Sequence, residues 1–324
     1  MIMFIRKRLI LFMIVFPIYL FGDEIIGEGL LGSDLFNFLT DQYKTSTVLS
    51  YDKARDTMYL HIDRVNGQVE CIYTEYSMSL PDGVDPSTHL YNNGSGIDCE
   101  HLFPQSMYDN DAEQGNPMKS DMHHLRPSKG NVNSSRGNKP YGEVNDYDTD
   151  TWYWLSYQQS SIPTSNIDRY SESESSFFEP REDVKGDIAR SIFYFFTIYE
   201  DASNESFFNT QLDNLRLWNT NDPPTQLELE RTWKIAAYQD NIPNPYVIDY
   251  SLVDRVFFPD EIIISGDINN DNILNVLDVV IVIGMIISEQ QPNESDLNII
   301  DINNDGVLNV LDAVILINLI LSEG

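Results

Sequence analysis

Three of the chain's five histidines, His101, His123 and His124, fall in one short stretch that also holds Glu100, Asp121, Arg126, Asn133 and Arg136. Hydrolysis of a phosphodiester needs a base to activate water, a cation to neutralise developing charge, and cationic groups to hold the phosphate. This stretch supplies candidates for all three. Neighbouring side chains on a strand point to opposite faces, so Glu100 and His101 can serve one site only at a strand end or bulge, and Pro104 fits such an end. Taken alone, a Glu-His dipeptide is more often a surface pair. Arg126 and Arg136 are candidates for phosphate clamping, because guanidinium forks match phosphate bidentately. Arg136 stands three residues after Asn133, so on a short helix the two share a face; ordinary solvated arginine is the alternative reading of both. Asp121, His123 and His124 could orient the site, coordinate a metal, or be satisfied structural polar residues. His61 and His89 sit in no motif and read as structure or surface.

A second chemistry lies at the C-terminus. Asp267, Asn269, Asp271, Ile273, Asn275 and Asp278 occupy positions 1, 3, 5, 7, 9 and 12 of a calcium loop, and Asp301, Asn303, Asp305, Val307, Asn309 and Asp312 repeat the set 34 residues later. Oxygen donors at alternate positions wrap a hard cation, with position 7 lending its backbone carbonyl. A solvated acidic tail would not place Ile, Leu and Val at repeated internal positions. Position 12 is Asp rather than the longer Glu of EF-hands; position 6 is Gly306 in the second loop and Asn272 in the first, and Asn tolerates the left-handed conformation better than most residues.

Both regions resemble known families. Glu-His-x-x-Pro-x-Ser from Glu100, Asp-x-His-His-Leu-x-Pro from Asp121 and Val-Asn-x-x-Arg-x-Asn-x-Pro-x-Gly from Val132 follow the order and spacing of the endonuclease I family of secreted bacterial nucleases. The likeness continues through Lys185-Gly-Asp-Ile-Ala-Arg, Trp218, Asp222-Pro223, Glu228, Arg231, Gln239 and Asn241, covering roughly residues 35 to 257. It implies a ββα-metal, or His-Me finger, site of two strands and a short helix around one divalent cation. On that resemblance His101 is the general base, and Glu100 and Asn133 are the metal ligands, hard oxygen donors suited to Mg²⁺, with Mn²⁺ or Ca²⁺ as alternatives. Products would carry 5′ phosphates, and because no 2′-hydroxyl takes part, DNA and RNA could both be cut. The Asp-x-Asn-x-Asp loops, each followed by one helix, resemble type I dockerins, which hold two Ca²⁺ and dock onto cohesin modules. Val276 to Ile287 and Val310 to Leu321 are apolar nearly all round, more than so small a module can hide, which implies a partner or packing on the nuclease.

The rest of the chain must position these residues. Met1 to Gly22 opens on Arg6, Lys7 and Arg8, continues through the apolar run Leu9 to Phe21 and reaches Gly22, which reads as a signal peptide, with an uncleaved anchor as the competing reading. The mature protein is then secreted or attached to a cell surface. Formal net charge is −31, unfavourable for a polyanionic substrate. Distribution matters more than the total: residues 260–324 hold twelve Asp or Glu and no Lys or Arg, leaving −31 + 12 = −19 before them. Between 119 and 139, five bases (Lys119, Arg126, Lys129, Arg136, Lys139) face the single acid Asp121, a local positive patch. Cys71 and Cys99, the two cysteines, fall in strand-like segments at 69–76 and 96–103, and an even count in an exported protein permits one disulfide; two small buried hydrophobes are the alternative. Helices are expected at 185–199, from Ile188, Ile192, Phe195, Phe196 and Tyr199, and at 226–239 after Asp222-Pro223-Pro224; 160–176 reads as a surface loop. The expectation is an α+β nuclease domain at 23–258 and an EF-hand-like helical calcium module at 259–324. The alternative is a non-catalytic nucleic-acid-binding protein held at a surface or scaffold.

Overall fold

A computed structural model of the chain describes residues 25–109, 117–259, 265–269, 273–288 and 292–322. Met1 to Gly22, Asp271 and Asn272 lie outside these described residues. In chain order the elements are α1 (Gly32–Tyr43), α2 (Tyr51–Thr57), which runs into a π-turn at Met58–Ile62, β1 (Arg64–Val65), β2 (Gln68–Glu70), β3 (Ser77–Ser79), α3 (Pro86–Tyr91), β4 (Ile97–His101), α4 (Pro117–Ser120), β5 (Leu125–Lys129) and α5 (Gly130–Arg136). There follow β6 (Thr151–Trp154), β7 (Tyr157–Gln159), β8 (Ser171–Ser173), β9 (Phe178–Glu179), α6 (Lys185–Ile198), α7 (Glu205–Asn221), α8 (Gln226–Ala236), α9 (Pro245–Ile248), α10 (Leu252–Phe257), α11 (Val276–Ile287), α12 (Glu294–Ile300) and α13 (Val310–Ser322). The fold is α+β, with three small sheets: β1-β2-β3, β4-β5 and β7-β6-β8-β9.

Helix α6 is the spine. Its apolar residues are buried on every side, from Ile188 through Ile198, as expected of a helix lacking a polar face. Phe195 stacks on Phe103 at 4.6 Å, Phe196 on Phe208 of α7, and Phe193 packs against Phe257 of α10. Each fully buried aromatic of this kind contributes roughly 1.5 to 3 kcal/mol. Gly186 is required near the helix start: a Cβ there would meet the Asp222 carbonyl at 2.0 Å. That close approach lets Gly186 N–H donate to Asp222 Oδ2 at 2.9 Å and Arg190 to the Asp222 carbonyl at 2.7 Å, joining α6 to the end of α7.

The β4–β5 pair divides two hydrophobic clusters. Ile97, Cys99 and Leu125 belong to a cluster with Ala54, Met58 and Leu90, whereas Val132 of α5 joins the larger one built on α1, α6 and α7. This division corrects the disulfide expectation. Cys71 and Cys99 are both free and buried, Cys71 in the larger cluster and Cys99 in the smaller. Cys71 Sγ accepts from Lys129 N–H at 3.1 Å.

Two sequence expectations fall short. The strand at 69–76 stops at Glu70, where Cys71 to Thr74 turn so that Ile72 N–H reaches the Pro127 carbonyl at 2.9 Å. The segment 160–176 is not all surface loop, because Ser171–Ser173 is a buried strand pairing with β6 and β9. In the C-terminal module, α11 and α13 pack together with Val282, Ile300 and Leu316 at their centre, and α12 between the two loops was not expected. No helix among the described residues is long and apolar enough to cross a membrane.

Glu172 on β8 illustrates how polar this sheet is inside. It faces Glu179 across the ladder, bonds Thr149 Oγ1 at 2.6 Å, and burial pushes its carboxyl up to about 8. Because that value exceeds the ordinary 4.5, the stability it carries is full below pH ~4.5 and is lost as pH rises through about 8. The melting temperature should therefore fall between pH ~4.5 and about 8, and Glu172→Gln should flatten the fall in a thermal-denaturation series. An equally steep fall in the variant would rule this group out.

Candidate active site

Strand β4, its partner β5 and helix α5, which follows β5 without a break, form one strand–strand–helix unit. The ladder sets Glu100 opposite Arg126 and His101 opposite Leu125. Helix α5 is seven residues long and ends at Gly137, whose φ of +56° suits the stop residue of a helix. Asn133 and Arg136 therefore share the face turned to β4.

Arg136 is the hub. It is fully buried, with Nη1 donating to Glu100 Oε1 at 3.0 Å and to the His101 carbonyl at 3.0 Å, and Nη2 donating to the Leu102 carbonyl. Its guanidinium lies over the Tyr141 ring at 4.5 Å. Tyr73 OH donates to Glu100 Oε1 at 2.7 Å and bonds Tyr141 OH at 2.6 Å. Asn133 Nδ2 donates to the Cys99 carbonyl at 3.3 Å. Burial pushes the Glu100 carboxyl up, while Arg136 and the Tyr73 hydroxyl oppose it. A guanidinium at 3.0 Å stays protonated, and it favours the ionised form of the carboxyl.

The imidazole of His101 leaves this cluster. Alternation along β4 sends Glu100 toward Tyr73 and Tyr141 and sends His101 against Tyr51, stacked at 5.5 Å, and His124, edge-on at 5.3 Å. His101 Nε2 lies 3.0 Å from the Lys119 carbonyl, which can only accept, so Nε2 carries the proton. Nδ1 is left with its lone pair, and Gln105 Nε2 donates to it at 3.3 Å. Burial, followed by His124, pushes the imidazole down to about 3, so it is neutral across the physiological range.

The other candidates move away from the substrate surface. Arg126 is buried and pairs with Asp187 at 3.1 Å; its Nε has no partner and it lines a cavity of about 10 Å³ with His123, Glu228 and Arg231, room for one water. Arg136 is engaged as described. Neither can clamp a phosphate from these positions, which corrects that expectation, and two of the five bases in the positive patch are thereby internal. Asp121 accepts from Tyr194 OH, Tyr199 OH, Gln239 Nε2 and His123 N–H, all within 3.0 Å. His123 bonds the Ile242 carbonyl and His124 the Met118 carbonyl. All three are buried and hydrogen-bonded within the fold. His61 stacks on Tyr238, and His89 bonds the Ser79 carbonyl. Tyr73 and Tyr51 escaped the sequence reading, since no motif marks them; Gln105 and Tyr141 stood inside the first and third motifs, without an assigned role.

The donors fit a hard cation. Glu100 has one oxygen tied to Tyr73 and Arg136, so its other oxygen is the one that could turn to a cation, and Asn133 uses its amide nitrogen on Cys99, leaving its oxygen. Two oxygen ligands with water suit Mg²⁺. Among the described residues no group of three or more His, Cys, Asp or Glu forms a metal cluster. In the C-terminal module the second loop curls around its own donors: Asp301 accepts from Asp305 and Gly306 N–H, and Asp312, fully buried, accepts from Ile302 and Asn309 N–H. Asn304 and Gly306 take left-handed φ there. In the first loop Asp278 accepts from Asn275 N–H at 2.9 Å and Asn275 Nδ2 reaches the Ile273 carbonyl, as Asn309 does to Val307; Asp267 is buried beside them. Asp271 lies outside the described residues.

Breaking a buried ion pair leaves an uncompensated charge and costs about 3 to 5 kcal/mol. Arg136→Met should therefore destabilise by that order in urea unfolding, and adding Glu100→Gln should restore much of it. A single variant as stable as the parent would remove the pair from its structural role.

Comparison with known proteins is consistent across both halves. The endonuclease I family model matches residues 31–250, and the dockerin type I domain model matches residues 265–321. An extracellular ribonuclease of Bacillus subtilis (strain 168) is 28% identical over 256 residues, 71% of this chain and 76% of the relative. An extracellular ribonuclease of Bacillus amyloliquefaciens is 28% identical over 190 residues, 51% of this chain and 56% of the relative. With the family match extending from the residue before α1 past α9, over more than half its length, the chain belongs to the endonuclease I family, as a nuclease that carries a type I dockerin domain.

Proposed function

We propose that the protein is an exported, divalent-metal-dependent endonuclease that hydrolyses RNA and DNA phosphodiesters through a ββα-metal site, and that it is tethered through its dockerin module to a cohesin-like partner. The observation that carries the reading is the strand–strand–helix unit in which Arg136 binds Glu100 and the His101 backbone while Asn133 holds Cys99 from the same helix. His101, neutral and with its Nε2 proton held by Lys119, has the Nδ1 lone pair to act as base. Its 3.3 Å contact with Gln105 is long enough for a water to replace.

In the proposed step Nδ1 takes a proton from water as the water oxygen bonds to phosphorus, and the bond from phosphorus to the 3′ oxygen breaks, leaving a 5′ phosphate and a 3′ hydroxyl. Glu100 and Asn133 would hold the cation, Mg²⁺ on donor chemistry with Mn²⁺ or Ca²⁺ as substitutes, which when bound neutralises charge on the phosphate and the leaving oxygen. Arg136 acts from behind, keeping Glu100 ionised and in place. The relatives' names favour RNA as one substrate, and export agrees both with those names and with the basic, then apolar, Met1 to Gly22.

In the module, the carboxylates of each loop would hold one Ca²⁺. Exposed apolar residues repeat in register 34 apart: Val276, Val280 and Ile287 on α11 match Val310, Val314 and Leu321 on α13. Such a doubled apolar face supports docking to a protein partner.

Removing a base forfeits roughly 10² to 10⁴ in rate. His101→Ala should lower RNA cleavage by that order with an unchanged melting temperature, EDTA should abolish cleavage by the parent, and RNA products should end in 5′ phosphates. Cyclic 2′,3′ phosphates, or full activity in the variant, would overturn the mechanism. For the module, binding confined to the folded state stabilises by about 2.7 kcal/mol at 100 times Kd. Calcium added to the metal-free full chain should raise the stability of a separate C-terminal transition in calorimetry, and Asp312→Ala should abolish that response; a calcium-insensitive transition would remove the proposed ions.

A further inference from the structure

The Nδ1 lone pair of His101 faces a neutral carboxamide, that of Gln105. We propose that Gln105 is a positioning residue for hydrolysis: its side-chain oxygen accepts the second hydrogen of the water that His101 deprotonates, so that the water's lone pair is aimed at phosphorus. The inference rests on the reading of His101 as the base.

A short chain reversal brings the two residues together. Leu102 and Phe103 leave β4 for the larger core, where Phe103 packs on Phe195 and Phe207. Leu102 N–H donates to the His124 carbonyl at 3.0 Å and holds the strand end. Pro104, extended at φ −64° and ψ 140°, leads into a single 3-10 turn at Gln105–Met107. That turn is fixed within itself and to the start of α7: Met107 N–H reaches the Pro104 carbonyl at 2.8 Å, and the Met107 carbonyl accepts from Asn204 N–H at 2.8 Å. With Leu102 and Phe103 anchored inside, the half-buried Gln105 returns to the histidine four residues before it.

The imidazole is held as firmly. Tyr51 stacks on it at 5.5 Å, His124 meets it edge-on at 5.3 Å, and Nε2 bonds the Lys119 carbonyl at 3.0 Å. The direction of the Nδ1 lone pair is thereby set, toward Gln105 Nε2 at 3.3 Å. That distance lies past the usual range of roughly 2.7 to 3.2 Å for N–H donors, so a water donating to Nδ1 displaces a weak bond. A carboxamide carries donor and acceptor on one planar group, and its terminal torsion is broad and roughly two-fold. Its NH2 caps Nδ1 at rest; with water on Nδ1, its oxygen turns to the water. Lysine has no acceptor, and a carboxylate would set a negative charge against the phosphate; the neutral amide avoids both. The covalent step is unchanged: the water proton goes to Nδ1, its oxygen bonds to phosphorus, and the 3′ oxygen leaves with the electron pair of its bond and is protonated by solvent.

The test is steady-state cleavage of a short RNA oligonucleotide by the full chain. Gln105→Met keeps the length of the side chain and removes both polar groups; Gln105→Ala removes them without the stem. Each should lower kcat about 10- to 100-fold, the order expected when a reacting group is misplaced, with KM and the melting temperature little changed. In a chain that already carries His101→Ala, adding Gln105→Met should leave the residual rate unchanged, because residues that act as one unit are not additive. A kcat equal to or above the parent's in either variant would show that the amide only blocks the lone pair, and would overturn the proposal. So would a loss confined to KM, or the full loss repeated in the His101→Ala background. Failure of the base reading shows separately, as full cleavage by His101→Ala alone.

Discussion

The ion pair between Arg136 and Glu100 is the constraint on which the rest of the site depends. A carboxylate 3% exposed would lose its charge without a partner, and a bare guanidinium in the same interior would be worse. Together they fix where α5 sits, because Arg136 also reaches the carbonyls of His101 and Leu102 at the end of β4. Replacing such a pair with apolar groups of matched volume is often neutral or stabilising, so stability alone does not explain its presence. On the proposed reading, an ionised carboxylate held ready for a hard cation does.

That arrangement has a consequence for His101. Adjacent residues of a strand cannot present side chains to one face, and β4 is regular up to His101, so the imidazole enters the other hydrophobic cluster. His101 and Glu100 are thus supported by separate sets of aromatic residues, Tyr51 and His124 on one side, Tyr73 and Tyr141 on the other. The strand end is where the two chemistries can meet a single substrate, since Leu102 and Phe103 leave the ladder and turn into the larger core. The two side chains therefore sit in two independent packings, and a change in one need not disturb the other.

How much of this could be read in advance follows from where the information lies. Glu100, His101, Asn133 and Arg136 stand in local motifs, and α6 and α8 in local periodicity, so both were accessible before any coordinates. Buried polarity was not. Ser171-Glu172-Ser173 reads as loop because nothing in three polar residues announces that hydrogen bonds, and not apolar contacts, will hold them inside. Arg126 and Arg136 count as surface charge in any composition, and only the fold places acids and carbonyls around them. Tyr51 is fifty residues upstream of His101, brought beside it by tertiary packing that leaves no local trace. The two cysteines fall in segments that run close together, yet they belong to different clusters.

Net charge is the one global feature that points away from the activity, and screening resolves the conflict. At physiological ionic strength the Debye length is about 8 Å, so carboxylates farther than that from a bound phosphate act weakly on it, whatever their number. Twelve of the acids lie in residues 260–324, and among the described ones Asp301 and Asp312 are turned onto the backbone of their own loop. An acidic exterior and a nucleic-acid substrate are compatible when the groups within that radius, and not the total charge, set the potential that a phosphate meets.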